Sequence, residues 1–264
     1  MKAPLQLALM ILALSTVTLS FAERETTDDE QLIDDARVQH RNYEFPGTGE
    51  SIPYAVFVPS DYDSSQSTPL IVSLHGFGRT HDWLMGYHGL LDEAEANGYI
   101  VVTPLGYIRR GWYGSRELAD KQDGNRSEQD VMNVLGLIRD EFNIDSNRIY
   151  LWGHSMGGAG TYHIAAKYPD LFAGLGVAAP GPEAAAMNST LNKIKHLPIF
   201  VLHGDNDSVI PVESTRTWVA KMQELGMQHV YVEIPGGDHS LLISQDAVNM
   251  KKFVDFFNIV RKKY

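Results

Sequence analysis

The stretch that decides this chain is Arg148-Ile149-Tyr150-Leu151-Trp152-Gly153-His154-Ser155-Met156-Gly157-Gly158. Its first five residues make an apolar run with the character of a strand. Ser155 follows, with a glycine two positions before it and another two after. Met156 to Tyr168 then reads as a helix that ends before Pro169. A strand, a sharp turn with serine at its apex and a helix form the layout of a nucleophile elbow. The glycines have a steric reason: where strand and helix backbones nearly touch there is no room for a Cβ. A serine hydroxyl is a weak nucleophile, so this reading needs three more parts. They are a base, an acid that orients the base, and two backbone N–H groups for an oxyanion.

The body around this stretch alternates strand-like and helix-like segments. Val38 to Tyr43 and Ile52 to Pro59 read as early strands able to pair as a hairpin. Leu70 to Leu74 is a near-continuous apolar run, as expected of a strand buried on both faces. Asp82 to Asn97 is helical in character, with Gly98 as its stop, and Tyr99 to Thr103 is again strand-like. Pro104 to Arg126 is irregular. Ser127 then reads as an N-cap, with Asp130 three residues on. Val131, Val134, Leu135, Ile138 and Phe142 follow at helical spacing. Ala173 to Ala179, Pro198 to Leu202 and His229 to Ile234 read as strands. Val212 to Leu225 and the stripe Ala247, Met250, Val254, Phe257 read as helices. This alternation predicts an α/β fold: a mostly parallel sheet of about eight strands with helices on both faces and no large lid domain.

Candidates for the missing parts lie downstream of Ser155, each just after a predicted strand. His203-Gly204-Asp205-Asn206-Asp207 offers two acids, and Gly236-Gly237-Asp238-His239 offers a histidine. The order Ser, Asp, His belongs to one hydrolase architecture. In a parallel sheet such loops gather at the carboxyl ends of the strands, where ligands bind. The residue after the nucleophile, Met156, supplies one oxyanion N–H.

Four segments together carry a resemblance. They are Leu74-His75-Gly76-Phe77-Gly78, Gly153-His154-Ser155-Met156-Gly157-Gly158, His203-Gly204-x-x-Asp207-x-x-Ile210-Pro211 and Gly236-Gly237-Asp238-His239. From about residue 38 onward the chain resembles an α/β-hydrolase. Within that superfamily it resembles bacterial esterases related to polyhydroxybutyrate depolymerases, feruloyl esterases and prolyl-oligopeptidase-like hydrolases. The resemblance implies Asp207 as the acid, His239 as the base and the Phe77 N–H as the second oxyanion donor. It implies acyl transfer through a Ser155–His239–Asp207 triad, with no metal and no organic cofactor. The expected activity is that of a serine carboxylic-ester hydrolase, taking an ester of small-molecule, polysaccharide-linked or polyester type. A prolyl-oligopeptidase-like peptidase is the second reading, disfavoured because no stretch reads as that type's large gating domain. A catalytically silent binding protein is the third, disfavoured because every expected position is filled. Tyr107, Trp112 and Tyr113 sit in the irregular segment. They either border the site and hold an acyl or aryl group or pack the loop against the body.

Bulk properties narrow the setting. A net charge of -11 over 264 residues argues against a nucleic-acid partner. Lys2, the apolar run Leu5 to Leu19 and Ser20-Phe21-Ala22 give residues 1–22 the pattern of a signal peptide cut before Glu23. The expected location is periplasmic or secreted, without a stable membrane anchor, since the run is short for a span. Glu23 to Asp35 carries seven acids, so residues 23–37 read as a solvated leader of disorder-prone composition, ahead of a catalytic domain at 38–264. With no cysteine there is no disulfide, thiol nucleophile or Cys-based metal site. His75, His81 and His88 lack the four-residue spacing that puts two metal ligands on one helix face.

Overall fold

The computed structural model describes residues 32–262. The signal-peptide expectation and residues 23–31 of the leader lie outside the described residues. The strands are β1 (Val38–Glu44), β2 (Ser51–Phe57), β3 (Thr68–Leu74), β4 (Ile100–Pro104), β5 (Ile144–His154), β6 (Gly174–Ala178), β7 (Ile199–Gly204) and β8 (His229–Ile234). They form one eight-stranded sheet in the order β1-β2-β4-β3-β5-β6-β7-β8. The pairs β1–β2 and β2–β4 are antiparallel and all others are parallel. This is the α/β-hydrolase fold. The chain steps outward from β3 to β4, then crosses back to lay β5 on the other side of β3. Strand order therefore reverses at β3/β5, and the loops leaving these strands carry Phe77 and Ser155. In open α/β sheets, ligands bind at such a reversal.

The helices are α1 (Leu90–Ala96), α2 (Lys121–Glu141), α3 (Met156–Lys167), α4 (Met187–Lys193), α5 (Val212–Glu224), α6 (Leu241–Ser244) and α7 (Ala247–Ile259). Alternate residues of β3 feed two separate cores, as strand geometry requires. Leu70, Val72 and Leu74 pack with Val134 and Ile138 of α2, Tyr162 of α3 and Trp218 of α5. Ile71 packs on the other face with Leu91 of α1 and Phe253 and Phe257 of α7.

Two helix expectations need correction. The segment 82–97 is not one helix. A 3₁₀ turn covers Trp83–Gly86, the backbone turns left-handed at Gly89 (φ 86°), and α1 begins at Leu90. A Cβ on Gly89 would lie 3.0 Å from the Cβ of Ala247, so the break lets the chain pass beneath the start of α7. The stop at Gly98 (φ 67°) holds: its N–H and that of Tyr99 donate to Glu95 and Ala94, closing the helix end.

Ser127 is not an N-cap. The cap of α2 is Asp120, whose Oδ1 accepts the Gln122 N–H at 2.8 Å. Ser127 and Asp130 lie inside α2 and anchor the irregular loop instead. Ser127 Oγ accepts the Tyr113 N–H at 3.0 Å. Asp130 Oδ2 accepts the N–H groups of Gly106 at 2.6 Å and Tyr107 at 3.0 Å, and Oδ1 takes the Tyr43 hydroxyl. The loop's buried N–H groups need partners, and polar residues on the inner face of α2 supply them. Burial pushes the Asp130 carboxyl up to about 6 despite these donors.

The described end of the leader is tethered at one point, where the Ile33 N–H donates to buried Asp82 at 2.5 Å, while Arg37 forms solvent-exposed ion pairs with Asp35 and Asp92, each at 2.8 Å.

Glu128 of α2 ties that helix to α3. Its carboxylate accepts from His163 at 3.0 Å, Lys167 at 2.9 Å and the Tyr168 hydroxyl at 2.9 Å. Burial raises its pKa, but these three donors outweigh burial and bring it to about 2. A depressed carboxyl pKa stabilises the fold above the unfolded value of ~4.3, and that contribution fades as pH falls towards 2. Glu128→Gln should therefore cost about 1–3 kcal/mol at pH 7. The gap to the parent should narrow below pH ~4, as urea denaturation at both pH values would record.

Candidate active site

The elbow at Ser155 is built by close backbone contact. A Cβ on Gly157 would lie 1.9 Å from the carbonyl oxygen of Leu74. One on Gly153 would lie 2.3 Å from Gly157, and one on Gly158 would lie 2.8 Å from Pro180. All are closer than real carbon contacts allow, which is the crowding the motif predicted. Between these glycines Ser155 takes φ 58°, ψ -115°, a strained conformation for a residue with a Cβ. Its N–H donates to Ala178 at the end of β6 (2.9 Å), pinning the apex to the sheet.

His239 reaches this apex from the loop after β8. Its Nε2 lies 2.9 Å from Ser155 Oγ and its Nδ1 2.7 Å from Asp207 Oδ2. Asp207 stands on the loop after β7 with its side chain fully buried. Its Oδ1 accepts the N–H groups of Val209 and Ile210 at 2.8 and 2.9 Å. Burial alone would raise this carboxyl, but the hydrogen bonds from Ile210, His239 and Val209 leave it below its ordinary value. Asp205 instead accepts the Gly236 N–H at 2.6 Å, joining the two loops. Asp238 accepts the N–H of Leu241 at 2.8 Å at the start of α6. Two glycines let the loops converge: a Cβ on Gly204 would lie 2.1 Å from the carbonyl oxygen of Gly237.

Phe77 sits in a tight turn after β3. The Arg79 N–H donates to Gly76 at 3.2 Å, Gly78 has φ +75°, and its N–H donates to Arg109 at 2.9 Å. A Cβ on Gly76 would be 3.8 Å from that of Ser155, so the turn lies against the serine. Met156, the first residue of α3, follows Ser155 directly.

Two buried histidines support this arrangement, and the sequence reading assigned neither a polar role. His154 Nε2 lies 2.7 Å from the carbonyl oxygen of His239, which can only accept. That nitrogen therefore carries the proton, and Nδ1 accepts from the Tyr87 hydroxyl at 2.6 Å. Burial lowers the His154 pKa to about 3, so the ring is neutral and this tautomer is fixed. His203 follows the same logic. Its Nε2 faces Asp207 Oδ2 at 2.9 Å and the Ile210 carbonyl at 3.1 Å, while Nδ1 accepts from Thr215 Oγ1 at 2.7 Å. Burial lowers its pKa as well. Asp207 Oδ2 thus accepts from two imidazoles.

A cavity of about 180 Å³ opens at the serine, lined by Gly76, Phe77, Arg79, Trp83, His154, Ser155, Val209, His239 and Ser240. A larger cavity of about 330 Å³ lies at the opposite, amino ends of β6, β7 and β8, near Ala173, Pro198 and Gln228. It holds no part of the serine constellation. Among the described residues no cluster of three or more His, Asp or Glu could hold a metal ion.

The three loop aromatics separate. Trp112 packs 5.9 Å from Phe77 at the rim. Tyr113 is fully buried, its ring against Gly160 of α3 and 5.6 Å from His75, so it packs inside the body and cannot line the pocket. Tyr107 faces away, its ring 4.8 Å from Phe45 and its hydroxyl on Glu50. For these two the packing reading holds, because the loop folds inward onto α2. The sequence reading missed Trp83, Arg79 and Val209 as lining residues. Trp83 was hidden inside an expected helix, and Arg79 and Val209 lay within three residues of motifs already read.

The fold and these side chains define a serine-hydrolase scaffold. Residues 45–241 match the family described as "Putative esterase", and the chain belongs to this Esterase family. It is 29% identical over 164 residues to the bifunctional acetylxylan esterase/xylanase XynS20E of Neocallimastix patriciarum, covering 62% of this chain and 22% of that one. It is 31% identical over 136 residues to feruloyl esterase B of Thermothelomyces thermophilus, covering 49% of this chain and 44% of that one. The aligned region thus spans less than half of either relative. The CE1 ferulic acid esterase AmCE1/Fae1A of Anaeromyces mucronatus superposes with a TM-score of 0.65 at 19% identity, over 89% of this chain and 96% of that one.

Thr215→Val removes the hydroxyl that fixes the His203 tautomer and leaves a buried ring nitrogen unpaired. We expect a loss of about 1–3 kcal/mol in a denaturant titration, with the sheet's circular dichroism unchanged.

Proposed function

We propose that this protein is a serine carboxylic-ester hydrolase working through a Ser155–His239–Asp207 triad and an acyl-enzyme. One observation carries the reading: the His239 ring bridges Ser155 Oγ at 2.9 Å and Asp207 Oδ2 at 2.7 Å. Asp207 holds the proton on Nδ1, so the Nε2 lone pair faces the serine hydroxyl. His239 takes that proton as Ser155 Oγ attacks the ester carbonyl. The N–H groups of Phe77 and Met156 receive the oxyanion. His239 then protonates the leaving alcohol, and the same nitrogen activates the water that releases the acid.

The acetylxylan and feruloyl esterases among the relatives favour acyl groups esterified to a carbohydrate as the substrate class. Trp112 and Phe77 at the rim offer an apolar surface for such a group. The sequence of residues 1–22 favours export, with mature protein beginning at Glu23. Intact mass of the exported protein would test this, and retention of Met1 would refute it. Residues 38–264 form the catalytic unit of this reading.

Ser155→Ala should lower kcat on short 4-nitrophenyl esters by roughly 10³-fold or more without changing the melting temperature. Asp207→Asn should lower it by about 10²–10⁴-fold, and Asp205→Asn by far less. Cleavage of a proline-containing peptide amide without ester cleavage would favour the peptidase instead. Unchanged activity in Ser155→Ala would remove the mechanism.

A further inference from the structure

The Asp207 carboxylate is engaged more heavily than the orientation of His239 requires. Its Oδ1 accepts the N–H groups of Val209 and Ile210, while its Oδ2 lies 2.7 Å from His239 Nδ1 and 2.9 Å from His203 Nε2. His203 stands near the carboxyl end of β7, and its side chain and that of Asp207 are both shut off from solvent. The His203 Nε2 also faces the Ile210 carbonyl at 3.1 Å. Both partners of this nitrogen can only accept, so it carries the ring's proton and divides it between them. Thr215 of α5 donates to the other nitrogen, Nδ1, at 2.7 Å. Tying β7 to α5 needs only that Thr215 contact. It does not need the second nitrogen aimed at the one oxygen that His239 uses.

That aim has a chemical consequence. A donor to a carboxylate stabilises its negative charge and leaves less of it for a second partner. The His203 N–H therefore weakens what Asp207 can offer a protonated His239 ring. Burial keeps His203 itself neutral, and the nearby His239 ring acts in the same direction, against the pull of Asp207. The other ionisable groups near this pair are accounted for. His154 of β5 is a buried neutral ring. Glu233 of β8 is held by Arg216 at 2.5 and 2.9 Å. Asp205 and Asp238 turn to the N–H groups of Gly236 and Leu241, and Arg79 lines the cavity onto which His239 opens. His203 is not among the residues lining that cavity, so it acts only through Asp207.

We propose that His203 is a positioning residue of the Ser155 site: by holding a neutral N–H on the Asp207 oxygen shared with His239, it limits how strongly Asp207 favours the protonated base. This rests on the esterase reading of Ser155 and adds an element that extends its activity towards acid pH.

The test follows kcat/KM for 4-nitrophenyl acetate across the range in which histidine titrates. It compares the parent with His203→Met and His203→Gln. Methionine fills a similar volume without an N–H, whereas glutamine keeps an N–H donor at a similar reach from the backbone. In His203→Met the acid limb should move up by about half to one pH unit, as the loss of one hydrogen bond can supply. His203→Gln should keep the parent's limb. A limb in His203→Met that coincides with the parent's would overturn the proposal. An equal displacement in both variants would do so too, since it would mark a purely structural role. Should His203→Met fail to fold, nitrogen NMR of the parent's histidine rings decides. His203 should hold a single proton, on Nε2, on both sides of the acid limb. A proton on Nδ1 instead, or a second proton gained within the limb, would overturn the proposal. None of these results touches the esterase reading. A parent that hydrolyses no ester at any pH would overturn that reading, and this inference with it.

Discussion

The contact on which this structure depends is the one between the backbone at Gly157 and the carbonyl of Leu74. No side chain fits there, since a Cβ would stand 1.9 Å from that oxygen. The contact lets α3 start directly above the junction of β3 and β5, at the point where strand order reverses. Ser155 is caught between the strand end and that helix start, and the left-handed backbone it adopts is the geometric consequence. Such strain persists only where the surroundings over-determine it. Here they do: the Ser155 N–H is held by β6, and glycines flank the residue where any other side chain would collide. The same junction brings the Gly76–Arg79 turn against the serine, so the Ser155 hydroxyl and the turn bearing Phe77 share one packing event.

A second constraint is chemical. Three histidines share the hydrogen bonds around Ser155 and Asp207, and two of them, His154 and His203, are buried rings whose tautomers are dictated by acceptor-only partners. His154 must donate to the His239 carbonyl and His203 must donate towards Asp207, because a carbonyl or carboxylate oxygen offers no proton. Tyr87 and Thr215 complete each ring by donating to its other nitrogen. Each chain therefore runs one way, from hydroxyl through imidazole to the loop that carries His239 or to Asp207. A charged ring at either place would break this direction, and burial lowers both pKa values and so disfavours it.

Much of this was legible in the sequence, and the reasons differ by element. The middle of the sheet was legible because parallel strands buried on both faces are continuous apolar runs, as in β3, where every residue is buried. The edge strand His229–Ile234 is only partly buried, yet it too falls where the pattern placed it. The proximity of Ser155, Asp207 and His239 followed from their places after strands, since a parallel sheet leaves its carboxyl ends little freedom to scatter. The start of α2 was not legible, because Ser127 and Asp130 look like a cap when read alone. Their real partners, Tyr113 and Gly106 with Tyr107, are brought near only by tertiary folding. The break at Gly89 was hidden for a similar reason: its cause is Ala247, more than 150 residues away in the chain. Trp83 and Arg79 were missed as site residues because pocket lining depends on which side of a turn faces the serine. No periodicity encodes that.

The Trp112 loop and the Ser155–His239–Asp207 cluster are held by different means. The cluster hangs on strand ends and glycine contacts, where almost any substitution would move the backbone. The irregular loop bearing Trp112 hangs on side chains of α2. Three of its aromatic residues, Tyr107, Trp112 and Tyr113, have positive φ, so it does not rest in a relaxed conformation of its own. It is kept there by Asp130 and Ser127, with Glu128 fixing α2 to α3 behind it. A loop restrained through side chains can change its exposed residues while its anchors and the sheet stay in place. The Ser155–His239–Asp207 cluster is thus set by backbone geometry that tolerates little, and the Trp112 loop by side-chain anchors that fix its buried half.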